Sequence, residues 1–375
     1  MTFKILSLDG GGIRGVLSAR ILQAIETVLE KTKGQKIHEY FDMVSGTSTG
    51  SLLAGGIALK MNAEELLSLY RNRGHEIFPD NIRRQRKIRF ISQLIGANVL
   101  YPHGNPATGT PGLSTVLSEE YGKKCGSVCP PISAIESPIL VIPAYDTLSR
   151  NTTLFVSNNA KDDPSWYDPL PLWQVCTASA SAPTYFPPYE LPYYQDVMPG
   201  QVLPHIDGGV SANNPALAAV AHALLTEEKD ITEICVLSIG TGQTTQPYSY
   251  EQIKSWGLLK WVENLPNIFL APPAQLTDAL AWQILDAVGA GDYLRLDCAL
   301  NQHFEGKRIP KTLRKQSPNP KNQYLGRKVP EEIDDPNAYN DLVDVGAAYV
   351  DQGYAFYHGE WCKVMDAVEK FLEAH

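Results

Sequence analysis

The chain of 375 residues contains no uninterrupted apolar run of eighteen, so no segment has the length of a membrane-spanning helix. It also lacks a basic balance. Thirty-two Lys and Arg stand against 41 Asp and Glu, a net charge of −9. A general nucleic-acid binder needs a positive field, so no nucleic-acid partner is expected. Cysteine is sparse, with six thiols scattered over the chain. Cys125 and Cys129 are spaced like half a metal knuckle. No second Cys/His pair has ligand spacing, and no metal is expected. The N-terminal apolar stretch is too short for a secretory signal and runs directly into glycines. Reduced thiols and a cytoplasmic location are therefore expected. There is no internal repeat, low-complexity tract or clear linker. With 43% hydrophobic and 19% charged residues, the composition is that of a globular protein with a large core.

What is present alternates between strand and helix patterns. Phe3 to Leu8 reads as a buried strand, and a turn follows. Val16 to Glu30 then carries Leu17, Ile21, Ile25 and Leu29 at helical spacing. Phe41 to Ser45 predicts a second strand, and Ser51 to Lys60 an apolar helix. Asn62-Ala-Glu-Glu65 reads as a capping box opening the next helix. Two strand–turn–helix units within sixty residues predict an open, mostly parallel α/β sheet. Further strands are expected at Ile139 to Ala144, Thr153 to Ser157 and Ile234 to Ile239. Pro and Gly predict loops at 101–113, 183–204 and 310–330. Helices are expected at Tyr339 to Val350 and Glu360 to Ala374.

Three short motifs carry chemistry. Gly10, Gly12 and Gly15 fit G-x-G-x-x-G between a strand and a helix. Glycines there leave backbone N–H groups uncovered beside a helix N-terminus, a setting that suits a nucleotide phosphate or an oxyanion. The acidic residue that a dinucleotide site needs after its second strand is missing, since that strand ends in Ser45-Gly46. Gly46-Thr47-Ser48-Thr49-Gly50 is G-x-S-x-G. Gly46 and Gly50 let strand and helix approach closely, which forces Ser48 into an exposed elbow; the plain alternative is a helix cap. A nucleophilic serine needs a base. By chain order Asp207 with His222, His303 or His358 would complete a triad, although His222 reads as an ordinary helix residue. Asp207-Gly208-Gly209 has a short apolar entry, an acid and two glycines that bare the backbone.

Together these motifs resemble the patatin-like lipid acyl hydrolases, of the plant patatin type. Asp9-Gly-Gly-Gly-Ile-Arg-Gly15 is similar to the family's oxyanion loop, Gly46-Thr-Ser-Thr-Gly50 to its nucleophile elbow and Asp207-Gly-Gly209 to its aspartate motif. Ala178-Ser-Ala-Ser-Ala-Pro-Thr-Tyr-Phe-Pro187, Asn213-Asn-Pro215, Leu237-Ser-Ile-Gly-Thr-Gly242, Lys254-Ser-Trp-Gly-Leu-Leu-Lys-Trp261 and Tyr293-Leu-Arg-Leu296 also fit. The resemblance extends from about residue 4 to about residue 350. It implies a three-layer α/β/α patatin-like fold with a central, mostly parallel sheet. It implies a Ser48–Asp207 dyad without histidine, an oxyanion hole from the N–H groups of Gly10, Gly11 and Gly12, and no cofactor. Gly46, Gly50, Gly208 and Gly209 would support the site, and Arg14 would orient the loop, meet a lipid phosphate or form a salt bridge.

The expected organisation is a catalytic domain over 1–355, with a C-terminal helix in 356–375 packed on it. The expected activity releases fatty acids from membrane phospholipids or galactolipids, with transient contact at the membrane surface. The basic run 83–90 followed by Ile91, Leu94 and Ile95, the cluster of Trp256, Leu258, Leu259, Trp261, Phe269 and Leu270, and the eight Lys and Arg of 307–328 are candidates for that contact or for exposed surface. A triad esterase, a nucleotide-binding regulatory module and a storage protein with residual esterase activity are the rival functions.

Overall fold

A computed structural model of the protein describes the chain outside residues 1, 89–98, 159–164, 194–199, 245–247, 258–259, 262–263, 265–267, 269–270, 287–288, 290 and 302–320. The first half runs β1 (Phe3–Leu8), α1 (Gly15–Thr32), β2 (Met43–Gly46), α2 (Thr49–Ala58), α3 (Ala63–Ile77), α4 (Asp80–Ile88), α5 (Leu113–Lys124), β3 (Ile139–Asp146), β4 (Asn151–Val156) and α6 (Leu172–Ser179). The second half runs β5 (Tyr189–Pro192), β6 (Val202–Asp207), α7 (Ala216–Leu225), β7 (Ile234–Ile239), α8 (Ala271–Leu285), β8 (Asp292–Leu296), α9 (Tyr339–Gln352), β9 (Tyr354–Tyr357), β10 (Glu360–Lys363) and α10 (Val364–Ala374). Short helical turns lie between some of these.

The sheet order is β5-β6-β3-β2-β1-β7-β8, with β4 on the other edge of β3. The β1–β2, β2–β3, β1–β7 and β7–β8 pairs are parallel; β3–β4, β3–β6 and β5–β6 are antiparallel. β1 is central and buried on both faces, which is why its sequence is apolar almost throughout. Side chains alternate between two cores. Leu6 and Leu8 join Leu237, Leu294 and the residues of α1, α2, α3, α6 and α9 on one face. Phe3 and Ile5 join Val236, Tyr293, Ala216, Ala219 and Val220 of α7 and Ala281 and Leu285 of α8 on the other. The result is a three-layer α/β/α fold. No helix among the described residues is long and apolar enough to cross a membrane.

Two elements differ from their sequence-based expectation. The stretch 183–204 contains β5 and the start of β6, because Tyr189–Pro192 pairs with Val202–His205 at the sheet edge; edge strands tolerate proline. The expected helix from Glu360 starts only at Val364. Its first four residues form β10, which ladders with β9 through Cys362↔Ala355 and Trp361↔Phe356. The turn between them places His358 and Gly359 at φ 49° and 80°, the backbone of a tight hairpin. Helical periodicity resumes after it, with Val364, Ala367, Val368, Phe371 and Leu372 buried in the core that faces α1. The capping box at Asn62 is present, with Asn62 Oδ1 accepting from the Glu65 N–H and Glu65 Oε2 from the Asn62 N–H, both at 2.8 Å.

Two glycines let β2 turn back against β1. A Cβ on Gly50 would lie 2.1 Å from the Leu8 carbonyl oxygen, and one on Gly46 would lie 2.2 Å from that of Gly50. Neither obstacle is a movable side chain. Gly50→Ala is expected to destabilise the protein by about 1–3 kcal/mol. Gly257→Ala, where a Cβ meets nothing within 4 Å, should stay within about 0.5 kcal/mol. Urea denaturation of the two variants makes the comparison.

Candidate active site

Ser48 and Asp207 are far apart in sequence, and the sheet brings them together. β2 runs parallel to β3 and its register ends at Ser45↔Val141. β6 runs antiparallel to β3 and its register ends at Asp207↔Ala144. Because β4 occupies the opposite edge of β3, β2 and β6 share one edge and approach head to head. Two residues of β3, Ile142 and Pro143, lie between the two ends, a gap of three residue steps or about 10 Å, and the Gly46–Ser48 elbow fills it. Pro143 lies in this gap. A Cβ on Gly208 would lie 2.1 Å from its carbonyl oxygen, so only glycine follows Asp207 without a clash.

The elbow itself is strained. Ser48 has φ 53° and ψ −124°, a conformation that non-glycine residues rarely adopt. It is held from several sides. The Ser48 N–H donates to Ser179 Oγ at 3.1 Å, and that hydroxyl donates to the Pro143 carbonyl at 2.7 Å. The Thr47 hydroxyl donates to the Ala212 carbonyl at 2.6 Å, and Ser51 Oγ donates to the Ser48 carbonyl at 2.6 Å. α2 begins at the next residue, so its positive end faces Ser48. The side-chain oxygen of Ser48 makes no capping bond to this helix.

The glycine loop corrects one expectation. The Gly10 N–H donates to the Asn213 carbonyl at 3.0 Å, so it is engaged and does not offer itself to an oxyanion. Gly10 has a packing role instead, since a Cβ there would meet Asn213 Oδ1 at 2.4 Å and Ser48 Cβ at 3.1 Å. The N–H groups of Gly11 and Gly12 make no bond among the described residues. Gly11 caps and Gly12 opens the helical turn that leads into α1, where uncovered N–H groups and the helix dipole favour negative charge. Gly12 sits at φ 59°, and a Cβ would fall 2.1 Å from the Ile333 carbonyl oxygen.

Asp9, Gly10, Gly11, Gly12, Arg14, Ser48 and Asp207 all line one cavity of about 1180 Å³, counting the space at its mouth. Its lining is mixed: Leu52, Ile77, Phe78, Leu113 and Phe186 are apolar, and Asp278, Arg295, Asp297 and Gln243 are polar. Gly46, Gly50, Gly208 and Gly209 lie behind the cavity. The Gly209 N–H donates to Asp207 Oδ1 at 2.7 Å. Burial pushes the Asp207 carboxyl up to about 6, against the pull of hydrogen bonds from Ser48 and the Gly209 N–H. Arg14 is half-buried, and desolvation lowers its pKa. Its Nε and Nη1 have no partner among the described residues, and no ion pair there uses it, so the salt-bridge option is not realised.

No histidine is among the described residues lining the cavity. His222 Nε2 faces Asn158 Oδ1 at 3.2 Å, and His358 Nε2 faces Asp292 Oδ1 at 3.1 Å. His303 lies outside the described residues. Asp286, Asp292 and His358 bring ligand-type atoms within 4.8 Å of one another. This group sits at the N-terminal end of β8, away from the cavity, and also receives the Tyr357 hydroxyl and His375. Of the basic run, Arg83 pairs with Asp335, and Arg86 donates to the Val99 carbonyl and stacks over Tyr101 and Tyr185. Ile91, Leu94 and Ile95, and Leu258, Leu259, Phe269 and Leu270, lie outside the described residues, as do 307–320.

Ser179, Asn213, Thr241 and Arg295 fall within the supporting stretches, where their sequence context assigns them no task. The structure puts each in contact with the elbow or the glycine loop. Asp278 and Asp297 carry no sequence signal, because an aspartate within a helix or just after a strand is unremarkable without its neighbours in space.

A serine elbow, a buried aspartate and bare glycine N–H groups thus converge on one cavity of a parallel-centred α/β sheet. The patatin-like phospholipase family model matches residues 6–220, more than half of the chain. The chain belongs to that family. It is 28% identical to "Patatin-like protein 1" of Oryza sativa subsp. indica, over 78% of this chain and 73% of that protein. It is 28% identical to "Patatin-like protein 4" of Arabidopsis thaliana, over 69% and 65%. It is 24% identical to "Probable inactive patatin-3-Kuras 1" of Solanum tuberosum, over 78% and 77%. Among solved structures, human GIVD cytosolic phospholipase A2 aligns with a TM-score of 0.38 and 12% identity, covering 100% of this chain and 63% of that one.

The raised Asp207 pKa makes a stability prediction. The folded protein holds this proton more tightly than the unfolded chain, whose pKa is near 3.8. The stabilisation is fully present below that value and is lost as pH rises through about 6. The Tm of Asp207→Asn relative to wild type is therefore expected to rise between pH 4 and pH 8. Differential scanning calorimetry at the two pH values measures it.

Proposed function

We propose that the protein is a serine lipid acyl hydrolase that releases fatty acids from membrane glycerolipids. The observation that carries this reading is the meeting of Ser48 and Asp207 at a cavity that also presents the unengaged N–H groups of Gly11 and Gly12. Ser48 Oγ attacks the ester carbonyl carbon while Asp207 takes its proton. The carbonyl oxygen becomes an oxyanion and is held by the Gly11 and Gly12 N–H groups, a contribution on the order of 10²–10³ in rate per donor. Collapse breaks the ester C–O bond, and Asp207 returns the proton to the departing glycerol oxygen. A water then attacks the acyl-enzyme with Asp207 again as base. Fatty acid leaves, and the proton returns to Ser48 Oγ. A carboxyl with a pKa of about 6 is a stronger base than an ordinary aspartate and is still mostly ionised at neutral pH.

The cavity's mixed lining suits an amphiphile. Leu52, Ile77, Phe78, Leu113 and Phe186 offer contacts for the acyl chain, and Asp278, Arg295, Asp297 and Gln243 offer contacts for polar groups. Arg14 favours a phosphate-bearing head over a sugar alone, since its shielded Nε and Nη1 have no hydrogen-bond partner among the described residues and gain most from an anion.

Ser48→Ala and Asp207→Asn are each expected to abolish hydrolysis of a short-chain nitrophenyl ester while leaving thermal unfolding cooperative. Unchanged turnover in folded Ser48→Ala removes the assignment, and uniformly negligible turnover in the wild type favours the storage reading. Wild-type kcat/KM should rise with pH through about 6 and then level, as Asp207 ionises. Arg14→Gln is expected to slow release from phosphatidyl lipids about tenfold, the loss of one charge-assisted hydrogen bond, with little change on the nitrophenyl ester. Mass spectrometry of fatty acid released from a mixed lipid extract distinguishes the head classes.

A further inference from the structure

We infer that Arg295 is a positioning residue for the oxyanion loop, acting through Asp9, the residue immediately before the three glycines. The inference rests on the acyl-hydrolase reading above and concerns how that reaction's electrostatics are held.

Arg295 lies two strands away from β1. Ser7 pairs with Ser238 and Ser238 with Arg295 across the sheet, so its side chain crosses β7 to reach the end of β1. The guanidinium grips Asp9 with both forks, Nη1 to Oδ1 at 2.8 Å and Nη2 to Oδ2 at 2.6 Å. Nη1 also donates to Ser238 Oγ at 2.7 Å, and Nη2 to Asp297 Oδ2 at 3.1 Å. Asp297 extends the clamp to the loop after β7, accepting from the Gly242 N–H at 3.0 Å and from Gln243 Nε2 at 3.0 Å. From that loop the Thr241 hydroxyl donates to the Gly10 carbonyl at 3.0 Å, and its side chain occupies the space a Gly11 Cβ would take. The oxyanion loop is thus tied to the end of β8 through one buried guanidinium. Such bidentate geometry is specific to arginine.

The clamp also sets charge. Asp9 and Arg295 both line the cavity, and Asp9 is 3% exposed. The charged groups facing Asp9 are Arg295, Asp297 from the end of β8 and Asp278 from α8. Arg295 is the cation among them, and burial with the neighbouring carboxylates pushes the Asp9 pKa up to about 6 even beside it. Without Arg295 the carboxyl stays protonated further up the pH scale. Once ionised, it places an uncompensated negative charge next to a developing oxyanion.

The test is kcat and KM against pH on a short-chain nitrophenyl ester, for wild type, Arg295→Lys, Arg295→Gln and Asp9→Asn/Arg295→Gln, with thermal unfolding of each. At pH 8, Arg295→Gln is expected to lose about tenfold or more in kcat, less than the loss of an oxyanion donor, with KM within about twofold. It should acquire an alkaline decline that the wild type lacks. Arg295→Lys should recover part of kcat, since it restores charge without the fork, and the double variant should lose the alkaline decline. Wild-type kcat and pH profile in Arg295→Gln, or a decline that persists in the double variant, overturns the inference. If Arg295→Gln does not fold, Arg295→Lys carries the test, and wild-type kcat in it is the overturning result. Absence of Ser48-dependent turnover in the wild type overturns the acyl-hydrolase reading itself, and this inference with it.

Discussion

One edge of β3 decides the site. Two strands from distant parts of the chain, β2 and β6, run toward each other along it, and only two residues of β3 lie between their ends. Backbone pairing fixes that gap to within the tolerance of a hydrogen bond. No side chain has to search for its partner, because the ladders that hold the sheet also set where Ser48 and Asp207 stand. The strain at Ser48 follows from the same constraint. The chain must reverse from β2 into α2 inside the gap, and Gly46, Gly50 and Gly208 remove the atoms that would prevent it.

Buried carboxylates are handled in two opposite ways within this small volume. Asp9 is given a full counter-ion in Arg295. Asp207 receives only a backbone N–H and the Ser48 hydroxyl, so its proton affinity stays high. The first arrangement suits a structural anchor and the second suits a group that exchanges protons. Both carboxyls have similar raised pKa values, so it is the partners rather than the values that separate their roles. Arg14 is the reverse case, a half-buried cation whose Nε and Nη1 lack a hydrogen-bond partner among the described residues, while Asp297 and Glu331 act on it electrostatically. Shielded donors without a partner are costly.

The remainder of the chain supports this centre from a distance. α9 and α10 close the layer over α1, and the β9–β10 hairpin is tied to β8 by Asp292, which takes the Tyr357 hydroxyl, His358 and His375. β8 therefore carries structural connections at its start and Arg295 and Asp297 near its end. A short strand at the edge of the sheet links the C-terminal elements to the glycine loop.

Much of this was legible in the amino-acid order alone. Period-two and period-3.6 apolar spacing marked β1, α1, β2 and α2, because those patterns follow from which face a residue must bury. Glycine clusters marked the three turns, because only glycine leaves room for a backbone that comes within about 2 Å of where a Cβ would sit. What the order could not reveal is which N–H groups remain unengaged. Gly10 looks the same as Gly11 and Gly12 in sequence, and only the placement of the Asn213 carbonyl 3.0 Å away separates it from them. Nor could it mark β10, four residues whose strand state depends on pairing with β9, or the tasks of Arg295 and Asp297, whose partners lie more than fifty positions away. Apart from the edge strands β5 and β10, local sequence determined the elements and their turns, since those depend on neighbours along the chain. The tertiary structure decided the hydrogen-bond and charge partners, since those depend on neighbours across the sheet.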